Sequence, residues 1–340
     1  MLKRMIGLLM IASTLATPRD GSAQDNLKFV ASFSILADVA QQVAGDAAVV
    51  TTLMPLSTDP HSFEPKPRDV ATLAEADVVL VNGLGFEQSL LETIENAGED
   101  VNIVAVSACV PTLLLGEEPD HEEAATVQPT DQCTAHQAEL GDLGIAVATA
   151  DQICSSNEDH EEDHDHGGCD PHVWTDPINV MYWTLLIRDT LSAHDPGNAA
   201  TYAANAAAYL QTLSELNTEI IAQVETIPAA SRILVTNHDT LNYFAHRYGF
   251  EVVGVVMAGG SSLAEPGARD IAMLIDLIRE TGVQAVFAEN TLNANLAEQI
   301  ANEADAQFYT LYTDSLSEAA PSYVDYLRYN VATITGALGQ

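Results

Sequence analysis

The stretch LKFVASFSILADVAQQVAGDAAVVTTL, residues Leu27–Leu53, contains the pattern that decides the fold. Its beginning is β-prone, Ser34–Ala44 has apolar residues at helical spacing, and Ala48–Leu53 is again β-prone. A strand, a helix and a second strand in this order predict two parallel strands joined by a crossover helix. We therefore expect a parallel sheet at the start of the chain.

The same order of helix and strand recurs along the sequence. DVATLAEA precedes DVVLVNG, and FEQSLLETIENAG precedes NIVAVSA. In the second half the alternation resumes with RILVTN, EVVGVV, QAVFAEN and QFYTLYT as strand candidates. Such alternation predicts an α/β fold in which helices cover both faces of parallel sheets.

One long Ala-rich stretch separates the two sets of alternating elements. Residues 198–227 contain no Gly or Pro and fit a single helix. We therefore predict two lobes, each with a parallel sheet flanked by helices, joined by one long rigid helix. The expected boundaries are an N-terminal lobe at 24–204, a linking helix at 205–227 and a C-terminal lobe at 228–340.

The alternation fails at about 116–168, where the sequence is acidic and rich in His. Sixteen of the 49 acidic residues lie between Glu117 and Asp170, and we expect an insertion without a sustained helical face, in which LGDLGIAVATA is ordered. All four cysteines lie in or beside this region, and three disulfide pairings remain open. The cysteines lack the Cys-x-x-Cys spacing that would favour a metal site instead. The cysteines are Cys109, Cys133, Cys154 and Cys169.

Residues 1–23 have the features of a secretory signal peptide. Lys3 and Arg4 precede an apolar run, Met5–Leu15, and the small residues 21–23 follow it. The apolar run is too short to span a bilayer, and no later run reaches about 18 apolar residues. No cysteine near the expected cleavage point offers a lipid anchor. We expect a soluble protein of the periplasm.

The net charge of −37 restricts the partners of the chain. No Lys or Arg occurs between Arg68 and Arg188. Such a surface repels phosphate backbones, which argues against nucleic-acid binding, whereas it attracts cations. A general adaptation to solubility or a salty habitat accounts for most of the acidic excess.

Three histidines share a setting that suits a ligand site. His61 follows the strand candidate VVTTLM, His172 lies in CDPHVWTDP, and His238 follows RILVTN. In parallel α/β sheets, ligands bind at the carboxyl ends of strands, where loops converge. A single histidine of this kind is more often a solvated or hydrogen-bonded ring. Three in comparable positions favour one shared metal site.

Several motifs together resemble those of the zinc- and manganese-binding solute-binding proteins of metal ABC importers, also called cluster A-I. They are PLSTDPHSFEPKPRDVATLAEADVVLVNGLGFE, DPHVWTDPINV, TNHDTLNYFAHRYGFEVVGV and LYTDSL. The resemblance covers nearly the whole mature chain except the acidic insertion. It implies a monomeric, non-enzymatic protein that carries a metal ion to a membrane permease.

The resemblance also implies a ligand set, namely His61, His172, His238 and, from the second lobe, Asp314. Three imidazoles and a carboxylate can close a four-coordinate site around Zn(II), the expected transported ion. Relatives with a glutamate in place of the third histidine carry manganese or iron, and the same role for Mn(II) or Fe(II) is the alternative. A metal-dependent hydrolase is disfavoured because no His-Glu-x-x-His motif occurs. An adhesin role has no separate support.

Other acidic residues are candidates around this site. Glu289 ends a predicted strand and competes with Asp314 for the carboxylate role. Asp239 and Asp176 are candidates to orient the imidazoles, although helix capping suits them equally well.

A second His cluster lies in the acidic insertion, at His160, His164 and His166. Zinc-specific relatives often carry such a loop, and we expect a weak auxiliary site that gathers Zn(II). A solvated acidic run with incidental histidines is the alternative. His121 and His136 lie in the same insertion and are further candidates for this loop site, although their wider spacing favours incidental histidines. His194 and His246, in predicted helices, are expected to be surface or packing residues.

Overall fold

Two four-stranded parallel sheets form the framework of the protein. The computed structural model describes residues 27–87, 90, 93, 101–113, 126–127, 129–147, 153–154, 168–257, 266–289 and 294–339. Helices flank both sheets, and one long helix lies between the two sets of strands. This arrangement confirms the predicted α/β fold with two lobes.

The N-terminal sheet has the strand order β2-β1-β3-β4, with all pairs parallel. Its strands are β1 (Phe29–Ala31), β2 (Val50–Thr52), β3 (Val78–Val81) and β4 (Asn102–Ala105). Helix α1 (Ser34–Ala44) connects β1 to β2, and α2 (Pro67–Ala74) precedes β3. The apolar face of α1 is fully buried, as its helical spacing predicts.

The C-terminal sheet has the strand order β10-β9-β7-β8, again with all pairs parallel. Its strands are β7 (Ile233–Thr236), β8 (Glu251–Val255), β9 (Ala285–Glu289) and β10 (Gln307–Leu311). Strand β9 is buried at every residue, which explains its continuous apolar run. The helices of this lobe are α6 (Asn242–Tyr248), α7 (Ala268–Thr281), α8 (Asn295–Glu303) and α9 (Tyr323–Leu338).

Helix α4 (Pro177–His194) and the long helix α5 (Ala199–Val224) lie between these sheets in the sequence. Helix α5 has 26 residues, and at 1.5 Å per residue its length is about 39 Å. It starts after the turn Pro196–Asn198 and ends before Pro228. It packs against α1, α4 and α9, so it contacts helices from both ends of the chain.

The acidic insertion contains a helix that the sequence analysis missed. Helix α3 (Asp131–Asp142) begins at Thr130, whose side chain accepts a hydrogen bond from the backbone N–H of Cys133. Only three of its residues are buried, Cys133, His136 and Leu140, so its apolar face is too short to recognise from periodicity. Strands β5 (Thr126–Val127) and β6 (Ile153–Cys154) form a small antiparallel pair in the same region.

A disulfide between Cys109 and Cys133 joins α3 to the one-turn helix Val106–Cys109 that follows β4. Of the three open pairings, it selects the one that leaves Cys154 and Cys169 for each other. The side chain of Cys154 lies outside the described residues. No helix within the described ranges is both long and apolar enough to span a membrane.

Hydrogen bonds between the lobes fix the cleft that separates the sheets. The indole Nε1 of Trp174 donates to the backbone oxygen of Thr313 at 2.9 Å, and the hydroxyl of Tyr323 donates to the backbone oxygen of Trp174 at 2.8 Å. The backbone N–H of Leu316 donates to the hydroxyl of Ser34 at 2.9 Å. These bonds hold the loop after β10 against the N-terminal lobe.

Candidate metal centre

Four side chains from both lobes converge in the cleft: His61, His172, His238 and Asp314. Each offers one nitrogen or oxygen atom, and these atoms all lie within 4.8 Å of one another. The Nε2 atoms of His61 and His172 are 3.4 Å apart, and Oδ2 of Asp314 is 3.6 Å from Nε2 of His238. Donors at about 2 Å from a tetrahedral ion are roughly 3.3 Å apart, so this spacing suits metal coordination.

Most of these side chains lie where a parallel strand ends. His61 is in the one-turn helix Pro60–Ser62 beyond β2, His238 follows β7, and Asp314 follows β10. His172 differs from the strand-end prediction, because it precedes the one-turn helix Val173–Thr175. The segment that carries His172 is held beside Leu113 by a hydrogen bond from the backbone N–H of Asp170 to the backbone oxygen of Leu113, at 2.8 Å.

His172 is anchored by a carboxylate of its own loop. Oδ1 of Asp170 lies 2.8 Å from Nδ1 of His172 and accepts the backbone N–H of the same residue at 2.9 Å. Oδ2 of Asp170 accepts a hydrogen bond from the amide of Asn242 at 3.0 Å. The hydrogen-bonded Nδ1 directs Nε2 of His172 towards the other three side chains.

His238 is anchored in the same way by Glu289, at the end of the neighbouring strand β9. Oε1 of Glu289 is hydrogen-bonded to Nδ1 of His238, and Oε2 accepts the hydroxyl of Thr313 at 3.0 Å. Glu289 therefore contacts the nitrogen opposite to the cluster and does not belong to the group of four. Asp314, the other carboxylate candidate, has its oxygens beside the histidine Nε2 atoms.

Three buried polar atoms of the cluster lack partners. Nε2 of His238 and both carboxylate oxygens of Asp314 are buried without a hydrogen-bond partner among the described residues. Such atoms are rare in folded proteins because each loses its hydration. A cation bound in this cleft would give these atoms partners.

The surroundings change the pKa values of three side chains in the cluster. Burial, together with the charges of His172 and His238, lowers the pKa of His61 to about 2. Burial opposes the protonation of His238, but the charge and the hydrogen bond of Glu289 raise its pKa to about 9. Burial raises the pKa of Asp314 to about 7, against the opposing charges of His238 and His172.

The two other carboxylate candidates have different positions. Asp176 accepts the backbone N–H of Ile178 at 2.8 Å at the start of α4 and forms an ion pair with Arg247 at 2.7 Å. Of its two predicted roles, the structure therefore has the helix cap. The negative charge of Asp239 contributes to the raised pKa of the adjacent His238.

The other histidines that the structure describes take no part in this cluster. His136 is buried and its Nε2 is 2.7 Å from Asp189, which ties the insertion helix α3 to α4. His194 is hydrogen-bonded to the backbone oxygen of Thr190, and His246 is exposed. The insertion histidines, His121, His160, His164 and His166, lie outside the described residues.

Sequence reasoning placed Asp170 beside His172 without assigning it as the hydrogen-bond partner of the ring, and it missed Phe86. Asp170 precedes His172 by two residues in an Asp-Pro-His tripeptide, and this spacing is a signal that could have identified it. The ring of Phe86 lies edge-on to His61, with ring centroids 5.1 Å apart. No local pattern in the sequence identifies such a contact.

Comparisons relate the chain to known proteins. Residues 29–337 match the family model described as zinc-uptake complex component A, periplasmic (ZnuA). The manganese-binding lipoprotein MntA of Halalkalibacterium halodurans is 33% identical over 339 residues, covering 98% of this chain and 96% of that protein. The iron-binding protein YfeA of Yersinia pestis is 29% identical, covering 98% and 93%. The solved structure of the periplasmic zinc-binding protein TroA from Treponema pallidum has a TM-score of 0.73 and 25% identity, covering 93% of this chain and all of that one.

Proposed function

The chain belongs to the zinc-uptake complex component A family, the metal-binding proteins of ABC importers, and we propose that its transported ion is Zn(II). Members of this family are solute-binding transport proteins and not enzymes. We further propose that His61, His172, His238 and Asp314 are the four ligands of that ion, and that the loaded protein delivers it to a membrane permease.

One observation carries the proposal: three imidazole nitrogens and one carboxylate oxygen lie within 4.8 Å of one another, largely shielded from water. Zinc is bound in proteins by a small number of nitrogen, sulfur or oxygen ligands in tetrahedral geometry. Coordination would also give partners to Nε2 of His238 and to the carboxylate of Asp314, which are buried without hydrogen bonds to the described residues.

Manganese is the second candidate, because the relative MntA, at 33% identity, is named for manganese binding. Manganese prefers oxygen ligands and more of them, whereas imidazole suits zinc. A site with three nitrogens and one carboxylate therefore favours zinc over manganese. Glu289 is the residue that would add a second carboxylate. One of its oxygens is hydrogen-bonded to His238 and the other to Thr313.

The test is metal analysis of the purified protein after dialysis against equal concentrations of Zn(II) and Mn(II). We expect one zinc per chain in the wild type and a loss of zinc in the His238→Ala variant. His246→Ala is the matched control, since His246 is exposed on α6 and takes no part in the cluster. If the wild type retains manganese instead of zinc, the proposed metal is wrong. If the amount of bound zinc is the same in His238→Ala as in the wild type, the proposed ligand set is wrong.

Release to the permease would require the ligands from the two lobes to separate. His238 and Asp314 belong to the C-terminal lobe, and His61 and His172 to the N-terminal lobe. The long helix α5 packs on both lobes and limits wide opening, so a small tilt that moves the Asp314 loop is the simplest route. Since Leu316 in that loop is hydrogen-bonded to Ser34, breaking this bond would accompany release.

The remaining parts of the proposal concern the exported protein. We propose that residues 1–23 are a signal peptide and that the mature chain works as a monomer in the periplasm. His160, His164 and His166 would form a weak auxiliary site that gathers zinc. Deleting residues 160–166 tests this role, and unchanged zinc stoichiometry and transfer would contradict it.

A further inference from the structure

Two of the three clustered imidazoles are held by a carboxylate, and the third is not. Asp170 bonds Nδ1 of His172, and Glu289 bonds Nδ1 of His238. Nδ1 of His61 has no hydrogen bond to any side chain in the described part of the protein. The orientation of the His61 ring must therefore have a different origin.

The difference is notable because His61 and His172 occupy equivalent Asp-Pro-His tripeptides. Asp59 accepts the backbone N–H of His61 at 3.0 Å, just as Asp170 accepts that of His172 at 2.9 Å. The second oxygen of Asp59, however, accepts the hydroxyl of Ser62 at 2.8 Å. The same local motif thus fixes the backbone of His61 and leaves its ring to other contacts.

The aromatic ring of Phe86 supplies those contacts. It lies edge-on to His61 with ring centroids 5.1 Å apart and an interplanar angle of 82°, and its centroid is 6.1 Å from that of His172. On other sides Phe86 packs against Trp174 at 4.8 Å and Phe33 at 5.0 Å. A ring enclosed in this way has little freedom, so it restricts the rotation of the imidazole beside it.

A strained turn after β3 presents Phe86 to the site. Three consecutive residues have positive φ, namely Gly83 at 85°, Leu84 at 58° and Gly85 at 76°. Positive φ is unfavourable for Leu84, which has a Cβ atom, and strain of this kind persists only where the surroundings impose it. Such strain occurs often at functional sites, and here it ends at the residue that contacts His61.

The buried carboxylate of Glu87 holds this turn in place. Its Oε1 accepts the hydroxyl of Ser32 at 2.7 Å and the backbone N–H of Asn82 at 2.6 Å, and its Oε2 accepts the backbone N–H of Gly83 at 3.1 Å. Glu87 is only 1% exposed, so these bonds are shielded from water. The hydrogen bonds of Glu87 therefore fix the turn and the position of Phe86.

We propose that Phe86 is the positioning residue of the His61 imidazole and thereby helps to determine the metal specificity of the site. It does by packing what Asp170 and Glu289 do by hydrogen bonding. This inference rests on the proposed metal site. It adds a residue that selects between metals without being a ligand.

The link to specificity follows from the preferences of the metals. Divalent zinc gains more from an imidazole nitrogen than manganese does, and manganese accepts water or carboxylate oxygen readily in its place. A loosely held His61 therefore weakens zinc binding more than manganese binding. A fixed His61 keeps the site nitrogen-rich and four-coordinate.

A double-mutant cycle tests the proposal, with Phe86→Ala, His61→Ala and the double variant. Removing a group that orients a metal ligand typically lowers affinity about 10- to 100-fold, and we expect a loss of this size for zinc in Phe86→Ala. The loss for manganese should be smaller, so the ratio of zinc to manganese affinity falls. In the His61→Ala background, Phe86→Ala should have little further effect, because the two residues act as one unit.

Phe244→Ala is the matched control for the loss of a buried ring. Phe244 is 2% exposed and packs against Tyr248 and Phe250 in the C-terminal lobe. The Phe244→Ala substitution should lower the thermal stability of the metal-free protein without changing the ratio of zinc to manganese affinity. Visible absorption of bound Co(II) gives a second readout, since a shift from four-coordinate to higher coordination in Phe86→Ala, and not in Phe244→Ala, supports the proposal.

Two results would overturn the inference and leave the proposed function intact. In the first, the effects of the His61 and Phe86 substitutions on zinc affinity are additive. In the second, Phe86→Ala leaves the ratio of zinc to manganese affinity unchanged, although His61→Ala loses zinc. Failure of the wild type to bind either metal would instead contradict the proposed function, and this inference with it.

Discussion

Asp170 accepts two hydrogen bonds from His172 through a single oxygen atom, one from the backbone N–H at 2.9 Å and one from the imidazole Nδ1 at 2.8 Å. Both residues are completely buried. The ring cannot rotate without leaving its buried Nδ1–H donor unpaired, which is energetically unfavourable. In a neutral imidazole, an Nδ1–H that donates to a carboxylate leaves Nε2 without a proton, which is the form that binds a metal ion.

Replacing Asp170 should therefore weaken the site without removing a ligand. For Asp170→Ala we expect zinc affinity to fall about 10- to 100-fold and the free energy of unfolding to fall by about 1–3 kcal/mol. Asp170→Asn keeps an acceptor and should be affected less. Calorimetric titration and urea denaturation measure the two effects, with the exposed Asp276→Asn as control. Full zinc affinity in Asp170→Ala would contradict the orienting role.

The two carboxylates near His238 should respond differently to substitution. Asp314→Asn removes the proposed ligand charge, so zinc binding should be lost or nearly so. Glu289→Gln keeps the shape and one acceptor beside Nδ1 of His238, so binding should weaken but persist at one ion per chain. Metal stoichiometry and affinity of the two variants check this order. The reverse order would identify Glu289, not Asp314, as the carboxylate ligand.

Metal affinity should depend on pH through the groups with raised pKa values. His238, with a pKa of about 9, must lose the proton on Nε2 to bind a metal, so between pH 9 and pH 7 binding releases about one proton. Asp314, with a pKa of about 7, adds a second proton as the pH falls through 7. Protons compete with the metal, so affinity is highest above pH 9 and decreases with acidification.

Calorimetry of zinc binding at pH 8, in buffers with different ionisation enthalpies, measures the number of released protons directly. We expect about one for the wild type and about none for Glu289→Gln, because loss of the Glu289 charge removes the main cause of the raised pKa of His238. Equal proton release by the two proteins would show that the proton comes from another group.

The alternation of helices and strands could be predicted because buried parallel strands are continuous apolar runs and their connecting helices have an apolar face. The histidines of the cluster, His61, His172 and His238, were expected from their positions after or beside such elements, and Asp314 from the family resemblance. The residues that hydrogen-bond to the cluster were harder to predict from the sequence. Glu289 meets His238 because Thr236 in β7 pairs with Phe287 in β9, so the residues two positions further along are neighbours. That register requires the order of the strands, which the sequence does not specify.

Other features depend on contacts between distant segments. Phe86 reaches His61 through a turn with three positive φ values, and only the packed structure imposes such values on Leu84. Helix α3 of the insertion has a short apolar face. The disulfide between Cys109 and Cys133 and the hydrogen bond between His136 and Asp189 hold this helix instead of a longer apolar face.

The disulfide between Cys109 and Cys133 should therefore stabilise the insertion without affecting the chemistry of the cleft. The two cysteines are separated by 24 residues, and closing a loop of this length is worth about 3 kcal/mol of unfolding free energy in the chain-entropy model. Cys109→Ser with Cys133→Ser should lose about this amount in chemical denaturation. Zinc affinity should stay at the wild-type value, since none of the hydrogen bonds that anchor His172 or His238 involves either cysteine. Reduced affinity in the double variant, with unchanged unfolding, would mean that the bond serves the site and not the insertion.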